Sequence, residues 1–201
     1  MKLEFVNLFI DDSEDFTLPE KKKISLNDIV CDIYASSTGR GPWIAGGMGR
    51  QLAIGEIDFN DIDVWFDSLM QFEITKKYLE HKYEHAMYQN FVSDNAETYF
   101  IGDYKVQLIK RKWYPSIDSI FDDFDFTCCQ IAVDSNLKIY GPGILDARNF
   151  ILKLNKLDSH AFLARYGKYV SYGYVMDPEQ FIKILETEKI NYVFDGTVFG
   201  Y

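Results

Sequence analysis

Cysteine, histidine and proline are scarce in this 201-residue chain, at three, three and five residues. Cys31, Cys128 and Cys129 have no regular spacing, so they form no disulfide framework and point to a reducing compartment. No apolar run approaches the ~20 residues needed to cross a bilayer. The N-terminus turns acidic from Asp11, which makes it a poor signal peptide. These features predict a cytoplasmic protein, or a viral protein working inside a cell, with no membrane partner. Positive charge is also short. The chain carries 21 Lys and Arg against 31 Asp and Glu, a net charge of −10. That argues against a broad basic nucleic-acid groove. The small run Lys110-Arg111-Lys112 suits either a phosphate contact or a solvated strand end. No nucleophilic serine or cysteine context is present. His81 and His85 sit four apart on a predicted helix but lack a His-Glu-x-x-His pattern and read as exposed positions.

What is present is apolar and aromatic. Hydrophobic residues make up 47% and aromatics 16%, enough for one densely packed domain, or one domain with a small appendage. Residues 2–10 read as a strand and 11–23 as a loop. Ser25-Leu26-Asn27-Asp28 opens a short helix through residue 34. Trp43-Ile44-Ala45 is a brief buried run, and helical character follows from Met48 to Ile54. Residues 62–66 read as a buried strand and 68–90 as the clearest helix. Residues 98–100 and 104–109 form a hairpin around Gly102-Asp103. A helix is expected over 116–121, a strand over 126–133 and another over 137–140. Cys128 and Cys129, adjacent in that expected strand, would face opposite ways as packing residues. Gly141-Pro142-Gly143 is the best internal boundary. It divides a mixed α/β part, residues 1–140, from a mostly helical part, 141–201, with a helix start at Asp177-Pro178. The fold class is α/β (α+β), with a mixed sheet of about five strands.

One stretch carries chemistry. Gly46-Gly47, after an apolar lead-in and with Arg50 close behind, is followed after thirteen intervening residues by Asp61-Ile62-Asp63-Val64-Trp65-Phe66. On a strand, Asp61 and Asp63 share one face while Ile62 and Val64 hold the other in the core. Two neighbouring carboxylates repel unless a cation sits between them. Mg²⁺ takes oxygen ligands and keeps phosphate oxygens of its substrate in its shell. Two such ions can organise an attacking hydroxyl and a leaving pyrophosphate. Gly46 and Gly47 let backbone approach a phosphate, and Arg50 could add a charge-assisted bond. The bland alternative is a pair of edge-strand aspartates held by Lys or Arg.

Residues 43–66 resemble the first motif of the nucleotidyltransferase superfamily. They look most like the head domain of CCA-adding tRNA nucleotidyltransferases and bacterial poly(A) polymerases, which has a polymerase-beta-like palm. That pattern is Gly-Gly, two further residues, Arg, usually Asp, and later Asp-hydrophobic-Asp. Here Gln51 stands in place of the first Asp. Asp125-Phe126-Thr127 and the residues through Asp134 are similar to the family's Arg-Arg-Asp-Phe-Thr segment. Leu137 to Tyr140, a glycine turn and Asp146-Ala147-Arg148 follow in the family's order. His160 to Gly173, with Arg165 and Tyr166, resembles the helix that closes the nucleotide pocket. The resemblance implies transfer of a nucleoside monophosphate from an NTP, ATP among the candidates, to a hydroxyl of an RNA end, a protein or a small molecule. It also implies a two-ion Mg²⁺ site. Asp61 and Asp63 would hold metal, with Asp125 completing the site or holding the nucleotide. Gly46, Gly47, Arg50, Arg148 and Arg165 would lie on the nucleotide side. Residues 141–201 would form a neck-like extension. Three departures stand out. Asp123-Phe124 replaces the arginine pair, Gln107 replaces an acidic residue (leaving Asp125 and Asp103 as candidates for a third carboxylate), and the long tRNA-binding body is absent. The missing arginine pair and Gln107 favour a rival reading, a catalytically degenerate binding or structural protein, for example of a virus particle or defence complex. The retained Asp61 and Asp63 disfavour it.

Overall fold

The computed structural model describes residues 24–57, 61–157 and 162–187. The strand expected over 2–10 and the loop over 11–23 lie outside them. Helix α1 (Leu26–Ala35) begins at Ser25, whose hydroxyl accepts from the Asp28 N–H while the Asp28 carboxylate accepts from the Ser25 N–H. This reciprocal cap, worth about 1 kcal/mol, starts a helix whose Ile29, Val30 and Ile33 are buried. Strand β1 (Trp43–Ala45) runs through Gly46 into α2 (Gly47–Ala53). Strand β2 (Ile62–Trp65) precedes α3 (Leu69–Lys82), and β3 (Met87–Val92), β4 (Ala96–Ile101) and β5 (Tyr104–Ile109) form a meander. Next come α4 (Ile117–Phe121), a 3-10 turn (Thr127–Cys129), β6 (Ala132–Val133), β7 (Ile139–Tyr140), α5 (Ile144–Arg148), α6 (Phe162–Ser171) and α7 (Pro178–Thr187).

The described strands form one mixed sheet in the order β3-β4-β5-β2-β1-β6-β7. β2 and β5 pair in parallel with Asp63 opposite Gln107, while the other neighbours are antiparallel. The α/β class with a mixed sheet is as expected, with seven strands rather than about five. One main cluster packs α1 and α3 against the sheet through Ile29, Ile33, Ile44, Val64, Phe72 and Leu108. Phe66 and Phe72 meet edge to face at 5.4 Å, and burying each stabilises by about 1.5–3 kcal/mol. A second cluster joins Phe126, Cys128, Ala147, Phe162 and Tyr174, drawing on both sides of Gly141.

Two expectations need correction. The helix expected over 68–90 stops at Lys82, and residues 87–92 form the edge strand β3 instead. Leu69, Phe72, Tyr78 and Leu79, which suggested the helix, all precede Tyr83. Met-Tyr-Gln-Asn-Phe-Val, rich in strand formers, pairs with β4. The strand expected over 126–133 is a 3-10 turn followed by a two-residue strand. Its apolar run reflects burial within the second cluster rather than strand geometry. Cys128 and Cys129 are therefore both interior residues of one turn.

Candidate functional site

Strand β2 sets the site. Ile62 and Val64 are buried, while Asp61 and Asp63 are half-buried on the other face, as the period-two alternation requires. A cavity of about 430 Å³ opens there, within the size range of small-ligand sites. Its lining includes Gly46, Gly47, Asp61, Asp63, Trp65, Gln107, Phe124 and Tyr169, with Arg111, Arg165 and Lys168 supplying cations. A larger cavity of about 450 Å³, bounded by Asp28, Asp32 and residues 81–86, shares none of these residues.

The glycines shape the cavity mouth. Gly46 has φ +106, a conformation L side chains rarely adopt. Its N–H donates to the Ile131 carbonyl at 2.9 Å, so of the glycine pair this N–H is engaged with backbone. Gly47 opens α2. A Cβ at Gly47 would stand 3.9 Å from Asp61 Oδ1, and one at Gly46 would stand 3.7 Å from Asp63 Oδ2. The other two carboxylate oxygens meet β5. Lys105 Nζ is 3.4 Å from Asp61 Oδ2. With its amide nitrogen turned to Asp63, Gln107 donates to Asp63 Oδ1 at 2.9 Å and accepts from Lys105 Nζ at 3.1 Å. Burial, and then the Asp61 charge, push the Asp63 carboxyl up from its ordinary range, with Lys105 and Lys168 pulling the other way. A cation between the two carboxylates would cancel their repulsion and favour the charged form against the cost of burial.

The remaining candidates separate. Asp125 pairs with Arg165 and lines a smaller adjoining cavity of about 190 Å³, not the one holding Asp61 and Asp63. Asp103 is exposed in the β4–β5 turn. Arg50 is buried beneath Tyr169, Tyr172 and Tyr174, with its guanidinium carbon 5.1–5.8 Å from their ring centres. Its Nε has no hydrogen-bond partner among the described residues. Arg148 is exposed and donates to the Ala53 carbonyl at 3.2 Å. Neither Arg50 nor Arg148 lines the cavity. Arg165 does, from α6, together with Lys168 and Tyr169.

Lys105, Lys168 and Tyr169 are not singled out by the sequence, and Arg111 enters there only as part of the 110–112 run. For Lys105 the signal was its i, i+2 spacing from Gln107 on one strand face. Arg111 reaches the site from the end of β5 and pairs with Asp123, which also holds Lys156 and accepts from the Tyr114 hydroxyl. Burial opposes the Asp123 charge, but bonds from Lys156, Tyr114 and Arg111 hold its carboxyl well below the usual range. A guanidinium thus stands beside the segment where the arginine pair is missing. The 110–112 run is engaged by carboxylates, Lys110 by Glu97 and Lys112 by Asp123. His85 lies beyond the end of α3, 3.2 Å from Glu84, so it does not share a helix face with His81. Among the described residues no group of three or more His, Cys, Asp or Glu is arranged to hold a metal. The Asp61–Asp63 pair offers two carboxylates, a set that suits a Mg²⁺ completing its shell with phosphate and water oxygens. No helix of the described residues is long and apolar enough to cross a membrane.

This architecture is similar to the crystal structure of the Bacillus stearothermophilus CCA-adding enzyme in complex with CTP. The TM-score is 0.60 at 18% identity, covering 81% of this chain and 44% of that one. The likeness defines a nucleotidyltransferase-like fold. Residues 18–156 match the model of the Gad2: Gabija anti-defense 2 family, and the chain belongs to that family. It is 28% identical over 149 residues to "Gabija anti-defense 2" of Bacillus phage SPbetaL7, an overlap of 72% of this chain and 36% of that protein. The chain thus spans about a third of the length of that relative.

Proposed function

We propose that this protein is a Mg²⁺-dependent nucleotidyltransferase acting in an anti-defence role inside the cell. The observation that carries the reading is the placement of Asp61 and Asp63 on one strand face, against Gly46-Gly47, at a cavity lined by cations. In this reading Asp61 and Asp63 hold the ion, which when bound neutralises charge on the triphosphate. Lys168 and Arg165 face the phosphates, and Trp65, Phe124 and Tyr169 offer surfaces for the base. An acceptor hydroxyl attacks the α-phosphorus, the bond to the bridging oxygen breaks, and pyrophosphate leaves. RNA ends, proteins and small molecules are the acceptor classes. Residues 1–140 form the head in this reading and 141–201 a neck-like extension. Arg50 and Arg148 take no part.

A second reading, a binding protein that kept the fold and lost turnover, is favoured by Gln107 opposite Asp63. The test is incubation with Mg²⁺, each labelled NTP and total RNA, beside an Asp61→Ala/Asp63→Ala variant. Pyrophosphate release or label transfer that vanishes in the variant supports the enzyme. Metal-dependent NTP binding with no release supports the second reading, and neither binding nor release sinks both.

A further inference from the structure

The four carboxylate oxygens of the site are divided between two sides. Asp61 Oδ1 and Asp63 Oδ2 look toward Gly47 and Gly46. Asp61 Oδ2 and Asp63 Oδ1 look toward β5, where Lys105 and Gln107 already meet them at 3.4 and 2.9 Å. The parallel register makes this arrangement a property of the fold, because Asp63 is paired with Gln107 and Lys105 lies two residues earlier on the same face. A second divalent ion needs anionic oxygens of its own. The β5 side presents an amide and an ammonium instead, and the ammonium repels a further cation. Among the described residues no third carboxylate joins the pair, since Asp125 is held by Arg165.

We infer that the site holds one divalent ion, on the glycine side of Asp61 and Asp63, and that Lys105 is the fixed positive charge where a second ion would otherwise stand. This rests on the reading of Asp61 and Asp63 as metal ligands, and it replaces the two-ion expectation with a one-ion site. Lys105 is a positioning residue. It holds Asp61 Oδ2 so that Oδ1 faces the ion, and it sets a positive charge beside the phosphates. No proton transfer is assigned to it. The acceptor proton leaves to solvent as the new P–O bond forms and pyrophosphate departs.

Titration of the full chain with Mn²⁺, read by the loss of the free-ion electron paramagnetic resonance signal, counts the ions directly. One Mn²⁺ per chain is expected, and two would overturn the inference while leaving the enzyme reading intact. None would remove the enzyme reading and this inference with it. Lys105→Gln is expected to keep one ion and bind it several-fold more tightly, because a competing cation is gone. Unchanged or weaker binding overturns the role of Lys105, which a purely structural lysine would also produce. Lys105→Glu/Gln107→Asp supplies the missing carboxylates and is expected to bind two ions. A folded double variant that binds one overturns the proposal. Gln107→Asp/Lys105→Gln gives the same count without reversing a charge. Pyrophosphate release should fall about a hundredfold in Lys105→Gln and recover in part in Lys105→Arg.

Discussion

Gly47 and Gly49, two residues apart, face different constraints. A Cβ at Gly49 would stand 2.5 Å from the Ile131 carbonyl oxygen and 2.9 Å from its carbon, so the backbone of α2 or of the 131 segment would have to move. Gly49→Ala should destabilise the fold by about 2–3 kcal/mol, read from the urea midpoint. A Cβ at Gly47 meets only ordinary contact at 3.9 Å from Asp61 Oδ1. Gly47→Ala should keep its stability within about 0.5 kcal/mol and weaken Mg–NTP binding, because the methyl enters the cavity. Asp63 gives a pH signature. Its carboxyl is pushed up by burial and by Asp61, so between the ordinary carboxylate range and neutrality the folded state binds more protons than the unfolded one. Stability of the metal-free protein therefore falls as pH rises through that window and levels off above it. Asp63→Asn should flatten that slope in a Tm-against-pH series, and Mg²⁺ should raise the Tm of the native protein above neutral pH. A slope unchanged in the variant would show that Asp63 is not its source. Sequence exposed the carboxylate pair and Gly46-Gly47, because their spacing is local. It could not expose the fate of Arg50, which depends on tyrosines of α6 and beyond, more than a hundred residues away.

At the scale of elements, Glu97 ties three pieces together. It is buried on β4, 2.9 Å from Lys76 of α3 and 3.1 Å from Lys110 at the end of β5, and it accepts from the Tyr99 hydroxyl at 2.7 Å. Burial opposes its charge, but the bonds from Lys76, Tyr99 and Lys110 outweigh that and hold its carboxyl down to about 2. A depressed carboxylate contributes stability that is complete above its unfolded-state range and is lost as pH falls toward 2. Glu97→Gln should cost about 3 kcal/mol near neutral pH, because two ammonium groups lose their counter-charge, and should flatten the acid limb of the stability curve. Equal acid limbs in the two proteins would show that the cluster does not set acid stability. The elements were legible where a local signal was strong: the Ser25 cap, the strand over 62–66, the Gly102-Asp103 hairpin and the Asp177-Pro178 start. They were not legible where a partner decides. Residues 87–92 are a strand because β4 pairs with them, and Thr127–Cys129 is a turn because the second cluster surrounds it.

For the whole molecule, the cavity depends on chain far from the motif that announced it. Helix α6 supplies Arg165, Lys168 and Tyr169 to the wall, while its Phe162 packs with Phe126 and Cys128 in the second cluster. The same helix therefore both seals apolar surface and places charge, and two variants separate these roles. Removing residues 158–201 strips Phe162, Tyr174, Met176 and Ile184 from the cluster. It should expose apolar surface that binds a hydrophobic dye, with NTP binding lost alongside. Lys168 is exposed on that helix, so Lys168→Ala should leave Tm almost unchanged while weakening Mg–NTP binding about tenfold, the order of one lost charge-assisted contact. Calorimetry of Mg–NTP binding to the folded Lys168→Ala protein decides the matter. An affinity equal to that of the unaltered chain would remove Lys168 from phosphate recognition and leave it to Arg111 and Arg165, the other two cations of the cavity wall.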